Sequence, residues 1–361
     1  MSHVMLIGAG GNIGSHLVPH LARMPEIHRL TLVDRDRYEA RNLRNQEAPK
    51  HAIGRRKALV QAARARALNP RLEIQPVVED VERMPIGALR ADLILTGLDS
   101  RRARQRVNYA VRGLGGQWLD AGVLEAGQLA RITRFVGTEP EGCLECGWDE
   151  RDYAALEQNY PCDPSPGPVP TGASSGLGGL AASLLALECG NLLRGDPAAL
   201  PPGTELVVDA THHRQMVTRT RRFAECRLPE HAPWPIEPLP LTLETPLSRA
   251  LAMAGERIGA NGSLAISVEG GRIARRLTCA ECGGSQATLR IAARLRPADS
   301  RCPSCGGATA PGGFGLVERL EAGALTREER RRTLLAVGLR YGEVIRAFAG
   351  DTHQRFELVR P

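Results

Sequence analysis

The sequence predicts an α/β protein in which a doubly wound, mostly parallel sheet is followed by a second, small domain. Three observations support this fold class. The apolar run Val4–Ile7 leads directly into a glycine cluster and then into an amphipathic run that ends near Ala22. Short apolar runs and helical patterns then alternate along the next 100 or so residues. Beyond a proline-rich stretch, two Cys-x-x-Cys pairs mark a separate region.

Composition limits the class of protein. The chain has 361 residues, a formal net charge of +7 and 4% aromatic residues. Because the basic residues are scattered, the composition favours a solvated arginine-rich surface over nucleic-acid binding. The sequence has no run of about 18 apolar residues, so we expect no membrane span. The N-terminus enters a strand at once, which leaves no room for a signal peptide. We therefore expect a cytoplasmic protein with nine reduced cysteines.

The glycine cluster predicts a tight turn between the first strand and the first helix. Gly8, Gly10 and Gly11 would let backbone N–H groups approach a phosphate at the positive end of the helix. Such a Rossmann-like turn can hold NAD, FAD or ATP, or no ligand. The second apolar run ends at Asp34, and Asp36 follows it. An acid at this place usually meets a ribose hydroxyl, so the two motifs together favour a nucleotide.

The next elements place two further charged residues. A helix is predicted over 56–68, where Asn69–Pro70 ends it. Lys57 lies in its first turn, against the preference of the helix dipole, which a nearby anion would explain. Lys50 and Lys57 are the only lysines in the sequence. A third strand is predicted over 72–78 and a fourth in the stretch ADLILTGLDS, 91–100. Asp99, just past the C-terminal end of the fourth strand, lies at the edge where ligands bind and is a candidate Mg²⁺ ligand.

The rest of the first domain continues the pattern. We predict a helix over 100–111, a strand over 117–121, an antiparallel strand over 127–135, a helix over 175–193 and strands over 205–208 and 215–220. A mobile crossover loop is expected near 160–172, because five prolines lie between Pro161 and Pro170. This first domain is predicted to span residues 1–232, and residues 233–246 are predicted to be a proline-rich linker.

The C-terminal domain, residues 247–361, carries a strong metal signal. Cys279 and Cys282 form one Cys-x-x-Cys pair, Cys302 and Cys305 form another, and 19 residues separate the pairs. Each pair is followed by two glycines. This is the spacing of a four-cysteine zinc ribbon.

The first 230 or so residues, taken together, resemble the ThiF/MoeB/HesA family, whose adenylating domain is shared with ubiquitin-activating enzymes. The resemblance rests on motifs that occur in the family's order. They are the turn GAGGNIG, the strand end LVDRD, the segment NLRNQ for the family's Asn-Leu-x-Arg-Gln, the helix start GRRK with its closing Asn-Pro, and Asp99 followed by Arg104 and Asn108. The order and spacing of so many elements favour a shared fold of the adenylating-enzyme type.

The resemblance implies an adenylyltransferase. Such enzymes bind Mg²⁺ and ATP together with the C-terminal glycine of a ubiquitin-like or sulfur-carrier protein, and the carboxylate attacks the α-phosphate. The resemblance implies that Gly8, Gly10 and Gly11 admit the phosphates, Asp34 and Asp36 hold the ribose, and Asp99 binds Mg²⁺. It assigns the charge-neutralising and remaining nucleotide-binding roles to Asn42, Arg44, Gln46, Lys57 and Arg104. It also implies a homodimer and a conjugating enzyme as a candidate partner.

Two departures from the family concern charge. The family has an arginine three residues after its asparagine, where this chain has Asn45, and Arg44 lies one place early. Many members carry an N-terminal arm that gives an arginine to the partner subunit's site, and this sequence starts at the first strand. These departures favour, as an alternative, a degenerate member that acts as a scaffold or adaptor through its zinc ribbon. An NAD-dependent oxidoreductase is a further alternative, which explains the glycines and Asp34 but leaves NLRNQ and GRRK unexplained.

The other cysteines have separate expected roles. Family members often hold a structural zinc with two Cys-x-x-Cys pairs, and Cys143 with Cys146 matches the first pair. Cys226 matches half of the second, so His231 is predicted as the fourth ligand. Cys162, in the crossover loop, is the predicted thioester-forming nucleophile. Ser174 and Ser175, which open the following helix, remain alternatives through an oxyester.

Overall fold

A computed structural model of the protein describes residues 2–138, 140–157, 173–228, 230–260, 262–296, 298–312 and 315–361. The chain divides into two compact units. The first comprises Met1–Glu82 and Leu89–Pro233, and the second comprises Arg83–Ala88 and Trp234–Pro361. The expected crossover loop over 160–172, with Cys162, lies outside the described residues.

The first unit is built on one large sheet. Its described strands are β1 (Ser2–Ile7), β2 (Ile27–Val33), β3 (Glu73–Val77), β4 (Leu93–Thr96), β5 (Gln117–Leu124), β6 (Leu129–Val136), β7 (Thr204–Asp209) and β8 (Arg214–Arg219). Their order is β3-β2-β1-β4-β5-β6-β7-β8. The first five in this order are parallel, and β6, β7 and β8 continue the sheet antiparallel. The prediction of a doubly wound, mostly parallel sheet is therefore confirmed.

The strand order places the ends of three strands together. Strand β1 lies between β2 and β4, so the direction of winding reverses between β1 and β4. In open α/β sheets this crevice, at the carboxyl ends of the strands, is where ligands bind. The glycine turn follows β1, Asp34 follows β2 and Asp99 follows β4. The predicted nucleotide-binding residues of these three connections thus lie at one edge of the sheet.

Helices cover this sheet. The described helices of the first unit are α1 (Asn12–Leu21), α2 (Lys57–Leu68), α3 (Arg101–Leu114), α4 (Glu150–Glu157) and α5 (Ser175–Arg194). Helix α5 packs against α1 and against β5 and β6. Leu17, Leu21, Ala181 and Leu185 are fully buried in the core that they share with the strands. Among the described helices, α5 alone is long and apolar enough to suit a membrane span, and half of its apolar window is buried inside the fold.

The second unit has its own core and two smaller sheets. Its described elements are strands β9 (Ile236–Pro240), β10 (Ala265–Val268), β11 (Ile273–Cys279), β12 (Ser285–Ile291), β13 (Thr309–Ala310), β14 (Leu316–Val317), β15 (Leu320–Glu321), β16 (Val344–Ala349) and β17 (Thr352–Val359), and helices α6 (Leu247–Arg257), α7 (Arg327–Arg331) and α8 (Leu334–Val337). One sheet has the order β15-β10-β16-β17-β9, and in the other β11 pairs with β12, β13 and β14. Phe356, Leu358 and Leu289 are fully buried in its core.

The proline-rich stretch over 233–246 is not all linker, which corrects the expectation from the sequence. Strand β9 lies inside it and pairs in parallel with β17. Two of its five residues, Pro238 and Pro240, are prolines. Because β9 is an edge strand, a proline there removes no hydrogen bond from a second neighbour. The proline content of this segment led to the prediction of a linker. Composition does not reveal that the segment pairs with a strand more than 100 residues further along the chain.

Candidate functional site

A buried carboxylate holds the glycine turn in place. Asp34 is 8% exposed, and its two oxygens accept hydrogen bonds from the backbone N–H of Gly10 at 2.8 Å and of Asp36 at 2.9 Å. Burial raises the pKa of Asp34, while these two hydrogen bonds act to lower it. Since both oxygens are occupied by backbone groups, Asp34 shapes the turn, and the exposed Asp36 carboxylate is the one open to a ribose.

Lys57 lies over the glycine turn. Its side chain is 8% exposed, and its Nζ lies 3.6 Å from a carboxylate oxygen of Asp36 and 5.6 Å from the centre of the Tyr38 ring. A Cβ on Gly10 would lie 2.3 Å from Cβ of Lys57. Glycine is therefore required at position 10 because the stem of the lysine occupies the space of a side chain. The predicted lysine and the predicted turn thus form one packed unit.

Helix α1 begins at this turn with its backbone donors open. The residue before it, Gly11, makes no side-chain capping hydrogen bond. The N–H groups of the first turn of a helix have no partner within the helix, and they carry the positive end of its dipole. Within the described residues, Asn12 Oδ1 and Gln46 Oε1 are buried without a hydrogen-bond partner. Asn12 Oδ1 packs against Gly178 of α5, so the groups left open to a ligand at this end of α1 are the backbone N–H groups.

The segment between Glu39 and Gln46 divides between structural and open side chains. Asn42 Oδ1 accepts a hydrogen bond from the Glu39 backbone N–H at 2.9 Å and so caps a short 3-10 helix. Asn45 Nδ2 donates to the carbonyl of Ala173 at 3.0 Å. Arg44 is exposed and makes no hydrogen bond or ion pair with the described residues. Of the charges predicted in this segment, Arg44 is the one that remains available.

Asp99 and Arg104, which the sequence places in one motif, differ in their contacts. Asp99 is exposed at the end of β4 and makes no hydrogen bond with the described residues, as suits a ligand for a hydrated cation. Arg104 instead donates to the fully buried carboxylate of Asp120 at 3.1 Å, which Arg131 also contacts at 3.1 Å. Thr96 Oγ1 donates to Asp120 at 2.6 Å. Sequence reasoning missed Asp120, although an aspartate within the apolar strand WLDAGV was a visible signal.

The first cysteine cluster brings together four predicted ligands. Cys143, Cys146, Cys226 and His231 place their donor atoms within 4.8 Å of one another. The Sγ atoms of Cys143 and Cys226 lie 3.7 Å apart, and Sγ of Cys146 lies 3.3 Å from Nε2 of His231. Tetrahedral zinc with Zn–S distances of about 2.3 Å separates its sulfur ligands by about 3.8 Å. Donor type and spacing therefore both fit a Cys₃His zinc centre.

A buried arginine lies beside this cluster. Arg112 is 1% exposed, and it donates hydrogen bonds to the carbonyls of Thr138 at 3.0 Å and His231 at 3.4 Å. Burial lowers the pKa of Arg112, and the neighbouring thiols of Cys143 and Cys146 favour its charged form. Zinc bound by three thiolates and a neutral imidazole would carry a net charge of −1, which this guanidinium would balance.

The second cluster has the form of two matching turns. The Sγ atoms of Cys279 and Cys305 lie 3.5 Å apart, and those of Cys282 and Cys302 lie 3.6 Å apart. Gly283 and Gly306, which follow each pair, have φ values of 68° and 76° that favour glycine. All four donor atoms lie within 4.8 Å of one another. The cysteines of the predicted zinc ribbon are therefore gathered in one place, at the end of β11.

The chain is similar in sequence to known proteins. A sequence model with the description "ThiF family" matches residues 1–292. The ubiquitin-like modifier-activating enzyme 5 of Bombyx mori is 26% identical over 156 residues, which are 40% of this chain and 39% of the relative. The chain thus matches about two fifths of the length of that curated relative.

Solved structures share the fold. MccB from E. coli with ATP has a TM-score of 0.52 at 18% identity, covering 63% of this chain and 65% of MccB. The microcin C7 biosynthetic enzyme MccB in complex with N-formylated MccA has a TM-score of 0.50 at 18% identity, covering 63% and 67%. A structure of PaaA has a TM-score of 0.50 at 16% identity, covering 61% and 73%. At these identities the likeness concerns the fold.

Proposed function

The chain belongs to the ThiF family, and on that premise we propose that it uses ATP to adenylate the C-terminal carboxylate of a ubiquitin-like or sulfur-carrier protein. The observation that carries the proposal is the position of Lys57. Its stem packs against Gly10 of the turn that precedes α1, and its ammonium lies 3.6 Å from a carboxylate oxygen of Asp36. A buried cation packed on a glycine turn that opens into a helix suits a phosphate chain.

Different residues would bind the phosphates, the ribose and Mg²⁺. The open N–H groups of α1 and Lys57 would hold phosphates, and Asp36 would accept the ribose hydroxyls. Arg44, exposed and without a partner among the described residues, would add positive charge. Asp99 would bind Mg²⁺, which neutralises phosphate charge when bound. Phosphoryl chemistry of this kind depends on positioning and electrostatics more than on covalent participation of the protein.

The reaction forms one bond and breaks another. A carboxylate oxygen of the carrier attacks the α-phosphorus of ATP, and the bond between the α-phosphorus and the bridging oxygen breaks. Pyrophosphate leaves with the electron pair, and the carrier becomes an acyl adenylate. The ATP complex of MccB, a protein of the same fold, supports the nucleotide assignment. The ubiquitin-like modifier-activating enzyme of Bombyx mori and the MccA complex of MccB support a protein or peptide substrate.

The later steps and the assembly belong to the same proposal. The acyl group would pass from the adenylate to a side chain of the enzyme, for which the sequence offers Cys162 as a thioester and Ser174 or Ser175 as an oxyester. The enzyme would act as a cytoplasmic homodimer, with a conjugating enzyme as a further partner. Both cysteine clusters would hold structural Zn²⁺, since their thiolate-rich donor sets fit that ion.

Carrier-dependent exchange of labelled pyrophosphate into ATP tests the proposal. The purified protein would be mixed with Mg²⁺, ATP and each ubiquitin-fold protein encoded beside its gene. Exchange that requires the carrier supports adenylation. A carrier that binds but supports no exchange contradicts it.

One observation favours a scaffold as the second candidate function. Asn45 stands where the family has its arginine, and its amide is engaged with the Ala173 carbonyl. Residue 45 therefore holds the Ala173 carbonyl by a hydrogen bond and supplies no positive charge. A scaffold would bind its partner without turning over ATP, so the exchange assay separates the two functions.

A further inference from the structure

A serine and a histidine meet beside the glycine turn. Ser175, the first residue of α5, has its Oγ 3.0 Å from Nε2 of His16 in α1. Nδ1 of His16 lies 2.7 Å from the carbonyl oxygen of Asn12. Because a carbonyl only accepts, the hydrogen of the neutral ring lies on Nδ1. Nε2 then carries the lone pair, and it faces the serine hydroxyl as a base would.

The neighbouring helix ends fix this geometry. Asn12 Nδ2 donates to the carbonyls of Ala173 at 2.8 Å and Ser174 at 3.2 Å. A Cβ on Gly178 would lie 1.9 Å from Asn12 Oδ1, so the start of α5 can approach α1 this closely only because residue 178 is glycine. Asn12 directly follows Gly11 of the turn. The dyad therefore lies about one helical turn from the place where the phosphates would bind.

The two serines at this helix start differ in their chemistry. Ser174 Oγ accepts the backbone N–H of Leu177 at 3.3 Å and so serves as the N-cap of α5. The Ser174 backbone N–H donates to Glu125 at 2.7 Å. Ser175 Oγ instead contacts the imidazole. Only Ser175 of this pair therefore has a base in contact with its hydroxyl.

We propose that Ser175 accepts the acyl group from the adenylate as an oxyester, with His16 as the general base. This inference rests on the proposed function. Nε2 of His16 takes the hydroxyl proton as Ser175 Oγ attacks the acyl carbon. The bond between that carbon and the phosphate oxygen breaks, and AMP leaves with its electron pair. Glu47, whose carboxylate lies 3.7 Å from Nε2, stabilises the imidazolium until it returns its proton to solvent.

A synthetic acyl donor, N-acetyl-glycylglycyl adenylate, tests this without a known carrier. One reaction, with pyrophosphate added, measures ATP formation, which is the reverse of adenylation. A second, without pyrophosphate, measures the covalent adduct by intact mass and peptide mapping. The wild-type chain is expected to form ATP and an adduct on Ser175 that resists dithiothreitol and yields to hydroxylamine.

The variants separate a chemical role from a structural one. Ser175→Ala is expected to abolish the adduct and to leave ATP formation within about twofold, since the hydroxyl takes no part in adenylation. Ser175→Cys should restore an adduct that dithiothreitol now releases. His16→Gln keeps a hydrogen-bonding side chain without a base, so it should slow adduct formation by about 100-fold. Ser174→Ala and Cys162→Ala are expected to keep the adduct.

Other outcomes overturn the inference. It fails if the adduct maps to Cys162 or survives in Ser175→Ala, or if ATP forms and no variant carries an adduct. Absence of ATP formation in the wild-type chain defeats the proposed function, and this inference falls with it. Thermal unfolding of each variant shows whether a lost adduct reflects a lost fold.

Discussion

Sγ of Cys146 lies 3.3 Å from Nε2 of His231, although 85 residues separate them in the chain. The contact completes a four-donor cluster from one intact Cys-x-x-Cys pair, one single cysteine and one histidine. Three thiolates and an imidazole hold zinc as well as four thiolates do. We therefore expect each chain to bind two zinc ions, one in each cluster.

Replacing His231 with alanine is expected to lower the zinc content from about two ions per chain to about one. The variant removes one of four ligands from the first cluster and leaves the cysteines of the second cluster intact. Metal analysis of the purified protein measures this directly. His51→Ala, at an exposed position, is the matched control and should keep both ions. An unchanged zinc content in His231→Ala would remove this residue from the ligand set.

Cys302→Ser should remove the other zinc ion. Cys302 is 5% exposed, and its backbone N–H is bonded to the carbonyl of Gly307 within the turn that presents the thiol. Since a structural zinc contributes folding energy, the second unit should unfold at a lower temperature. Metal analysis and calorimetry measure the two effects. The exposed neighbour Ser304 provides the control, because Ser304→Ala removes only a hydroxyl and keeps the backbone N–H that meets the Cys302 thiol.

Lys57→Ala is expected to lower carrier-dependent pyrophosphate exchange by about 100-fold or more, because it removes a buried cation from the proposed phosphate site. Exchange kinetics with varied ATP measure the change. Lys50→Ala is the natural control, since it removes the other lysine of the chain from an exposed position. Equal exchange in the two variants would contradict the role of Lys57.

Gly10→Ala tests whether the turn and the lysine act as one unit. The new methyl group would lie 2.3 Å from Cβ of Lys57 and must displace it. We expect the KM for ATP to rise about tenfold or more, because small misplacements of a catalytic group are costly. Gly323→Ala, where nothing lies within 4 Å of the added methyl group, should leave KM unchanged. A normal KM in Gly10→Ala would mean that Lys57 can shift without loss.

Because Tyr38 is buried, we expect the free energy of unfolding to fall at high pH. Burial raises its pKa from 10.0 to about 12, and Gln61 Nε2 donates to its hydroxyl at 2.6 Å. The folded state thus holds the phenol neutral where the unfolded state would ionise. This contribution is complete below pH 10 and is lost as the pH rises towards 12, at up to about 1.4 kcal/mol per pH unit. Chemical denaturation between pH 9 and 12 should show a shallower fall in Tyr38→Phe than in the wild-type protein.

The sequence was most informative about local structure. It predicted nearly every strand and helix of the first unit, because hydrophobic period and capping residues act within a few positions. It also placed the residues that follow β1, β2 and β4 at one edge of the sheet, since the carboxyl ends of parallel strands in a doubly wound sheet share one side. It failed at β9, whose proline content was read as a linker. That strand is formed by pairing with β17, and composition carries no record of a distant partner.

The family motifs, the alternation of strands and helices in the large sheet, and the spacing of the ribbon cysteines can all be read from the amino-acid sequence. What each side chain contacts depends on the folded structure. It gave both oxygens of Asp34 to the backbone, paired Arg104 with Asp120, and set His16 against Ser175. A motif specifies only how residues are spaced along the chain. The contacts of Arg104 with Asp120 and of His16 with Ser175 join residues that are 16 and 159 positions apart. The contacts of Asp34 depend on which backbone N–H groups the turn exposes. Such choices are made by packing, which a linear pattern does not encode.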